Sequence, residues 1–488
     1  MTEPRSLPEP PADFYDDAPP EGMNGHAQLR VDQAEGWRDR LLTSTFPVGD
    51  GKFATTVQKS LPNAITILRY HEAWRGILAW DAFAERIVTS APPPWDIAAK
   101  PSVHEAGHWR ETDTGRTVDW LAREENLAIK PTIVEQAVAI VAEANATHPV
   151  QRYLRSLRWD GVQRLPTWLA TYCGADSTPY ASEVGRRWLI SAVARPLVPG
   201  CQVDCVLILE SREQGTGKSS AFRALVPDAS YFSETGITIG EMDSYQGLHG
   251  VWIYLFDELD SLRKADLTKA KNFITARKDH YRPSYARIAR DFLRQTVFCG
   301  STNESEYLID RTGNRRFWPV RVVRPIDVAG IVRDRDQLWA EAVARFDSGE
   351  RWYADTPELR ALCEAEQTDR VQHDPWEPIV AAWLADPKEF AWEEDAQGHP
   401  RKSTYPYDAS AGVLTGDVLR FALERPAAQL GRADHMRISD ILRSLGYERG
   451  PQVREDGARV RRFVPPKPAQ LTVELSPPAP PDHGSGLA

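Results

Sequence analysis

The stretch that most constrains the fold is Cys205–Leu225, CVLILESREQGTGKSSAFRAL. Its apolar run Val206–Leu209 predicts a buried strand, and residues beyond a Gly-rich turn predict a helix. The turn ends in Gly217-Lys218-Ser219, the phosphate-cradling half of a P-loop. A triphosphate needs inward-pointing backbone N–H groups, which small residues at Gly215 and Gly217 permit. It also needs a cation over the β/γ oxygens and a hydroxyl on Mg²⁺, roles suited to Lys218 and Ser219. Gln214, Gly215, Thr216, Gly217, Lys218, Ser219 and Ser220 are therefore the expected ATP-binding set. One departure stands out: the usual G-x-x-x-x-G-K-[ST] pattern has Gly where this chain has Arg212. A lone GK[ST] arises often by chance, so the loop needs support from elsewhere in the chain.

The rest of the composition sets limits. With 488 residues, the chain has room for several domains, and 42% hydrophobic and 26% charged residues suit globular cores. The net charge of −10 means that nucleic-acid binding must come from local basic surfaces. Five cysteines, an odd and small number, argue against a secreted disulfide framework. Cys201 and Cys205 lack a second Cys/His pair at zinc spacing, so buried or free thiols are the better reading. Neither a signal-type N-terminus nor an apolar span is present, which predicts a cytoplasmic protein without membrane partners.

Read in order, the chain divides into six segments. Residues 1–50 form an acidic, Pro-rich arm expected to be largely disordered, and 465–488, with seven prolines, a disordered tail. Residues 51–147 read as a small α+β domain. There LPNAITILRYHEAW predicts a helix, GILAWDAFAERIVTS a hairpin and PTIVEQAVAIVAEANA a helix opening at Pro131. A helical collar, 148–201, follows, in which Trp159-Asp160-Gly161 and Trp188 read as turn and core residues. Residues 202–350 have the strand–helix rhythm of an α/β nucleotide-binding domain, with strands at VWIYLFDEL, TVFCGSTN and FWPVRVV. In 351–464, Asp374 is placed to cap a helix opening at Pro375. A helix stopped by Gly446 and a hairpin around Asp456-Gly457 then suggest a winged-helix-like module. From Arg432 to Lys467 there are nine basic and five acidic residues. That balance suits a nucleic-acid face or a solvated packing edge.

Three strand ends carry the chemistry together, because ligands of such sheets sit at the carboxyl ends of the strands. Asp257 would hold Mg²⁺ with Ser219, Glu258 would polarise the attacking water, and Asn303 would hydrogen-bond that water or the γ-phosphate. Between Arg263 and Arg294 lie ten Lys/Arg and three Asp, interleaved with Tyr281, Tyr285 and Phe292. Charge for phosphates and rings for bases suit a strand-binding surface. Downstream, DRTGNRRFW offers Arg315 and Arg316 as arginine fingers toward a neighbouring subunit's ATP, with one of them free to anchor the turn instead.

Taken together, WDGVQRL, EQGTGKSS, FDELD, YRPSYAR and STNESEYLIDRTGNRRFWPV resemble the virulence-associated E family of phage and mobile-element proteins. These are ATPases similar to superfamily 3 helicases, and the likeness covers roughly residues 149–324. It implies an α/β P-loop NTPase core of the AAA+/superfamily 3 type, with ATP and Mg²⁺ as cofactors. It also implies a ring, most simply a hexamer, moving on DNA during replication, with the hairpin region around Lys278, Arg282, Tyr285, Arg287, Arg290 and Arg294 touching the strand. No primase motif is present, so a separate primase is an expected partner. The leading expectation is an ATP-dependent DNA helicase or replication-initiation motor. The alternative is an ATP-switched DNA-binding initiator without processive unwinding, and a metabolic kinase lacks an acceptor site.

Overall fold

The computed structural model describes residues 36–96, 107–238, 241–257, 264–282, 288–308, 314–371, 374–394, 400–426, 429–455 and 458–465. The chain divides into two compact units, one ending at Val371 and one beginning at Gln372. Of the expected arm (1–50) and tail (465–488), residues 1–35 and 466–488 lie outside the described residues, but the arm is corrected at its end. Trp37–Arg40 is a 3₁₀ turn and β1 (Thr43–Gly49) pairs antiparallel with β2 (Lys52–Val57). Trp37 is buried against His71 at 5.4 Å between rings, so apolar burial orders residues that composition grouped with the acidic arm.

In the N-terminal part of the first unit, α1 (Leu61–Tyr70) ends four residues before Trp74, where expectation had continued it. The strands β3 (Leu78–Asp81) and β4 (Arg86–Thr89) form the expected hairpin. They extend on one side to β5 (Gly107–His108) and on the other to β6 (Ala146–Thr147) in a four-stranded sheet. Helices α2 (Glu111–Glu124) and α3 (Pro131–Ala144) complete a core of Leu68, Trp74, Leu78, Leu121, Val134 and Val138. Next come α4 (Pro149–Ser156), α5 (Trp168–Thr171) and the long α6 (Pro179–Leu197). Between α4 and α5, Asp160 accepts from the Val162 N–H at 2.9 Å and pairs with Arg164. Trp159 there is 36% exposed and belongs to the turn, whereas Trp188 on α6 is fully buried and donates to the Phe298 carbonyl at 2.9 Å.

The centre of this unit is a five-stranded sheet. Its strands are β7 (Val206–Glu210), β8 (Phe232–Ser233), β9 (Ile253–Phe256), β12 (Val297–Thr302) and β13 (Phe317–Arg321). Between them lie α7 (Lys218–Ala224), α8 (Met242–Gln246), α9 (Lys264–Thr275) and the hairpin β10 (Lys278–Tyr281) with β11 (Arg290–Leu293). The order across the sheet is β13-β7-β12-β9-β8, and every pairing is parallel. Helices cover both faces, which is why β7 is apolar without a break: Leu207 and Leu209 face one core, Val206 and Ile208 the other. α10 (Val328–Asp347) and α11 (Pro357–Thr368) close the unit. The boundary expected at 351 is thus corrected to 371. α11 buries Leu359 and Cys363 in the core that holds Trp339, so it cannot part from the sheet.

The second unit holds α12 (Glu377–Ala385), the hairpin β14 (Lys388–Glu394) with β15 (Pro400–Pro406), a helical segment 415–422, α13 (Arg432–Ser444), and the hairpin β16 (Glu448–Glu455) with β17 (Ala458–Val464). Val380, Leu419, Ile438, Leu442 and Phe463 form its core. The expected cap is corrected: α12 starts at Glu377, not Pro375, because Asp374 is engaged before it. Its carboxylate accepts from the Trp376 N–H at 2.8 Å and binds Arg437 through two contacts at 2.7 and 2.8 Å. Gly446, with φ of 84°, follows α13 as the left-handed stop that only glycine adopts freely.

Candidate functional site

Sheet register brings the expected site residues together. β12 lies between β7 and β9, and Thr302 pairs with Glu210 while Gly300 pairs with Phe256. One residue further on, Asn303 therefore stands beside the start of the β7–α7 loop and Ser301 beside Asp257. Ser301 Oγ donates to Asp257 Oδ1 at 2.5 Å. Lys218 Nζ donates to Asn303 Oδ1 at 2.8 Å, and its 7% exposure buries most of an ammonium at the loop's base. Burial pushes the Lys218 pKa down, and the Asp257 carboxylate opposes that shift. A largely buried cation between an amide oxygen and a carboxylate is suited to receive the oxygens of an incoming phosphate.

The loop's backbone accounts for the anomalous Arg212. Only Gly215 (φ 71°) and Gly217 (φ 90°) occupy the left-handed region there, and Gly217 is the N-cap of α7. Arg212 has no positive φ and is exposed, so this turn does not require glycine at its position. Glu213 N–H donates to Ser211 Oγ at 3.2 Å, which closes the turn locally. Ser219, in the first turn of α7, is half-buried, while Gln214 and Ser220 are exposed and Thr216 half-buried. Ser219 and Asp257 each carry an oxygen that could serve a Mg²⁺ ion, which takes few protein ligands and completes its shell with phosphate and water. Glu258 lies outside the described residues.

The two arginines of the NRR turn stand elsewhere. Phe317 pairs with Val206, the first residue of β7, so Arg315 and Arg316 sit at the amino edge of the sheet, opposite Lys218. β7 alone spans roughly 16 Å at about 3.3 Å per residue, further than an arginine side chain reaches. Arg315 is exposed; Arg316 is half-buried, with its pKa lowered by burial and raised by Asp204.

The expected strand-binding surface is corrected at several places. Arg294 is a core residue, its side chain 1% exposed, gripping Asp279 at 2.6 and 2.7 Å and donating to the Phe273 carbonyl at 2.5 Å. It also stacks over Phe273 at 4.3 Å, so it has no face left for a phosphate. Tyr281 and Phe292 are likewise internal, stacked on each other at 4.6 Å, because period-2 alternation turns those β10 and β11 residues inward. What remains outside is Lys278, Arg282 and Arg290. Lys278 pairs with Asp291 at 2.5 Å, and Arg290 pairs with Glu85 at 3.1 Å. Tyr285 and Arg287 lie outside the described residues.

The β3–β4 turn reaches this hairpin. Phe83 carbonyl accepts from the Gly250 N–H at 3.1 Å, and Ala82 carbonyl from Gln295 at 3.2 Å. Beneath it, a cavity of about 30 Å³ is lined by Phe83, Glu85, His249, Asp279 and Phe292. Burial lowers the His249 pKa to about 4, and its Nε2 hydrogen-bonds the Tyr281 hydroxyl. The sequence reading missed this contact, since nothing in DAFAER signals docking. It also missed Glu210, a carboxylate ending an apolar strand, which is the signal that could have marked it. The five cysteines are all buried and free. Burial pushes Cys205 up to about 12, the opposite of a metal-ready thiolate. No described helix is long and apolar enough to cross a membrane.

Comparison with known proteins finds residues 154–372 matching the virulence-associated protein E-like domain. No curated protein matches. Among solved structures, an apo form of the NrS-1 C-terminal region (305–718) is 12% identical at a TM-score of 0.41, covering 79% of this chain and 95% of that one. A JCV helicase bound to a small molecule is 14% identical at a TM-score of 0.21, covering 55% of this chain and 82% of that one. At such TM-scores the likenesses do not establish a shared fold.

Proposed function

We propose, from the match of residues 154–372 to the virulence-associated protein E-like domain, that the chain is a P-loop ATPase of the AAA+/superfamily 3 helicase type. It drives movement on DNA during replication of a phage or mobile element. The observation that carries the reading is the convergence of Lys218, Asn303 and the Asp257–Ser301 pair at the carboxyl ends of three adjacent parallel strands. ATP is the substrate. Lys218 leaves Asn303 to bind its β/γ oxygens, and the backbone N–H groups of 214–217 cradle the phosphates. Ser219 and Asp257 would hold a Mg²⁺ ion, which would neutralise phosphate charge. Asn303 orients the attacking water, and Glu258 takes its proton.

Arg315 and Arg316, too far along the sheet to serve their own site, act on a neighbouring subunit's ATP. This supports a ring, with a hexamer as the simplest closed form. Exposed Lys278, Arg282 and Arg290 face the strand, and Tyr285 and Arg287, which fall between them in sequence, are assigned the same role. In the second unit, α13 and the β16–β17 hairpin form a winged-helix-like module whose arginines add phosphate contacts.

Strand displacement on a forked DNA tests the proposal. Wild-type protein with ATP and Mg²⁺ is expected to release the strand, and Lys218→Ala to abolish both release and ATP turnover. DNA binding and ATP turnover without displacement would favour the second reading, an ATP-switched initiator. That reading is favoured by the withdrawal of Arg294, Tyr281 and Phe292 from the strand-facing surface. A Lys218→Ala protein with normal turnover would sink both.

A further inference from the structure

We propose that Arg370 is a positioning residue that sets the distance between the phosphate loop and Asn303. The inference rests on the ATPase reading and adds a positioning residue to it. Glu210, the last residue of β7, is 3% exposed, and so is Arg370. Arg370 Nη2 donates to Glu210 Oε1 at 2.7 Å, and Nε donates to both carboxylate oxygens at 3.1 Å. The same residue's carbonyl accepts from the Tyr307 and Leu308 N–H groups at 3.1 and 3.0 Å. Tyr307 closes the circle, its hydroxyl donating to Glu210 Oε2 at 3.2 Å.

One residue thus holds both backbones that meet at the Lys218–Asn303 contact. Its side chain fixes the strand end from which the loop departs, and its main chain fixes the segment that follows Asn303. Mere cohesion does not require this arrangement, because a buried ion pair is commonly replaced by apolar residues without loss of stability. What a bidentate guanidinium adds is direction: it fixes angle as well as distance. A shift of about 1 Å in the water-orienting group is enough to cost around a hundredfold in rate. Arg370 also stands next to Val371, where the first unit ends.

The test uses the full chain carrying Glu210→Leu with Arg370→Met, which removes the link but keeps the site apolar and filled. Hydrogen exchange without nucleotide is expected to rise at least about tenfold in the peptides over 211–219 and 302–308 together, because the strand end loses its guanidinium and Tyr307 loses its acceptor on Glu210, leaving only the main-chain bonds to Arg370. The kcat for ATP is expected to fall roughly ten- to a hundredfold, with KM for ATP within about threefold, since the phosphate-binding groups remain on their loop. Arg370→Lys, which keeps the charge but loses the fork, carries the same readouts at smaller size and serves if the paired variant does not fold. Exchange changes confined to α11, or a kcat within about twofold of wild type, overturn the proposal. If the wild-type chain does not turn over ATP, the ATPase reading fails, while the exchange result still decides whether Arg370 positions the two segments.

Discussion

Arg294→Met is the sharpest probe of how this chain divides its basic residues between core and surface. The substitution keeps an unbranched apolar stem but removes the guanidinium that lies over Phe273 and Phe298 and grips Asp279. The Asp279 side chain is 9% exposed, so its carboxylate is left nearly dry and without its two charge-assisted bonds. Breaking a buried pair from one side costs about 3–5 kcal/mol. For a unit of this size, at about 2 °C per kcal/mol, the first thermal transition should fall by roughly 6–10 °C. Removing both partners, Arg294→Met with Asp279→Leu, should recover most of that loss, because the second change deletes the stranded charge. DNA binding gives the independent axis. The dependence of log K on log salt should keep its slope in the folded variant, whereas loss of a phosphate contact lowers it by about 1. A melting loss below about 1 kcal/mol together with a shallower salt slope would refute the reasoning and return Arg294 to the DNA surface.

Three other outcomes are expected. Asn303→Ala should retain ATP binding, measured by calorimetry, while kcat falls by about two orders of magnitude, as removal of a water-orienting amide requires. Arg315→Ala and Arg316→Ala subunits, each mixed with Lys218→Ala subunits, should reveal the finger. The finger variant is inactive alone and regains turnover only by pairing its intact phosphate site with the arginine of a Lys218→Ala neighbour; the other arginine shows no such dependence. Stability should also fall in acid because of His249, whose pKa drops from 6.5 to about 4 on burial. Between those values the unfolded chain binds the extra proton, so the contribution is full above pH 6.5 and is lost as pH falls toward 4. His249→Gln should flatten that limb in urea unfolding followed across the window.

The ordering of residues along the chain made much of the site legible. A strand ending before Gly215-Thr216-Gly217-Lys218, another ending at Asp257, and a third ending at Asn303 are local patterns, because a buried parallel strand announces itself by unbroken apolar runs. PTIVEQAVAIVAEANA was equally plain, its Pro131 standing at the first helical position of α3. Other features were invisible because they depend on which side of an element faces inward. Arg294, Tyr281 and Phe292 read as a surface of charge and rings, since a strand of mixed residues does not declare its buried face until the partner sheet is known. The doubt over Arg212 likewise dissolved only when φ angles showed which loop positions need glycine.

By itself, the amino-acid sequence determined that this chain contains an α/β unit with a phosphate-loop pattern, followed by an acidic strand end, a polar strand end and an arginine pair. Those are matters of local propensity, and local propensity is written in neighbouring residues. Tertiary structure alone decided that β12 inserts between β7 and β9 and so brings Lys218 to Asn303, and that the arginine pair lies at the far edge of the sheet. It alone joined Arg370 to Glu210 across the fold. Strand order and long-range ion pairs arise from contacts between residues distant in the chain, where burial and register, rather than spacing, choose the partner.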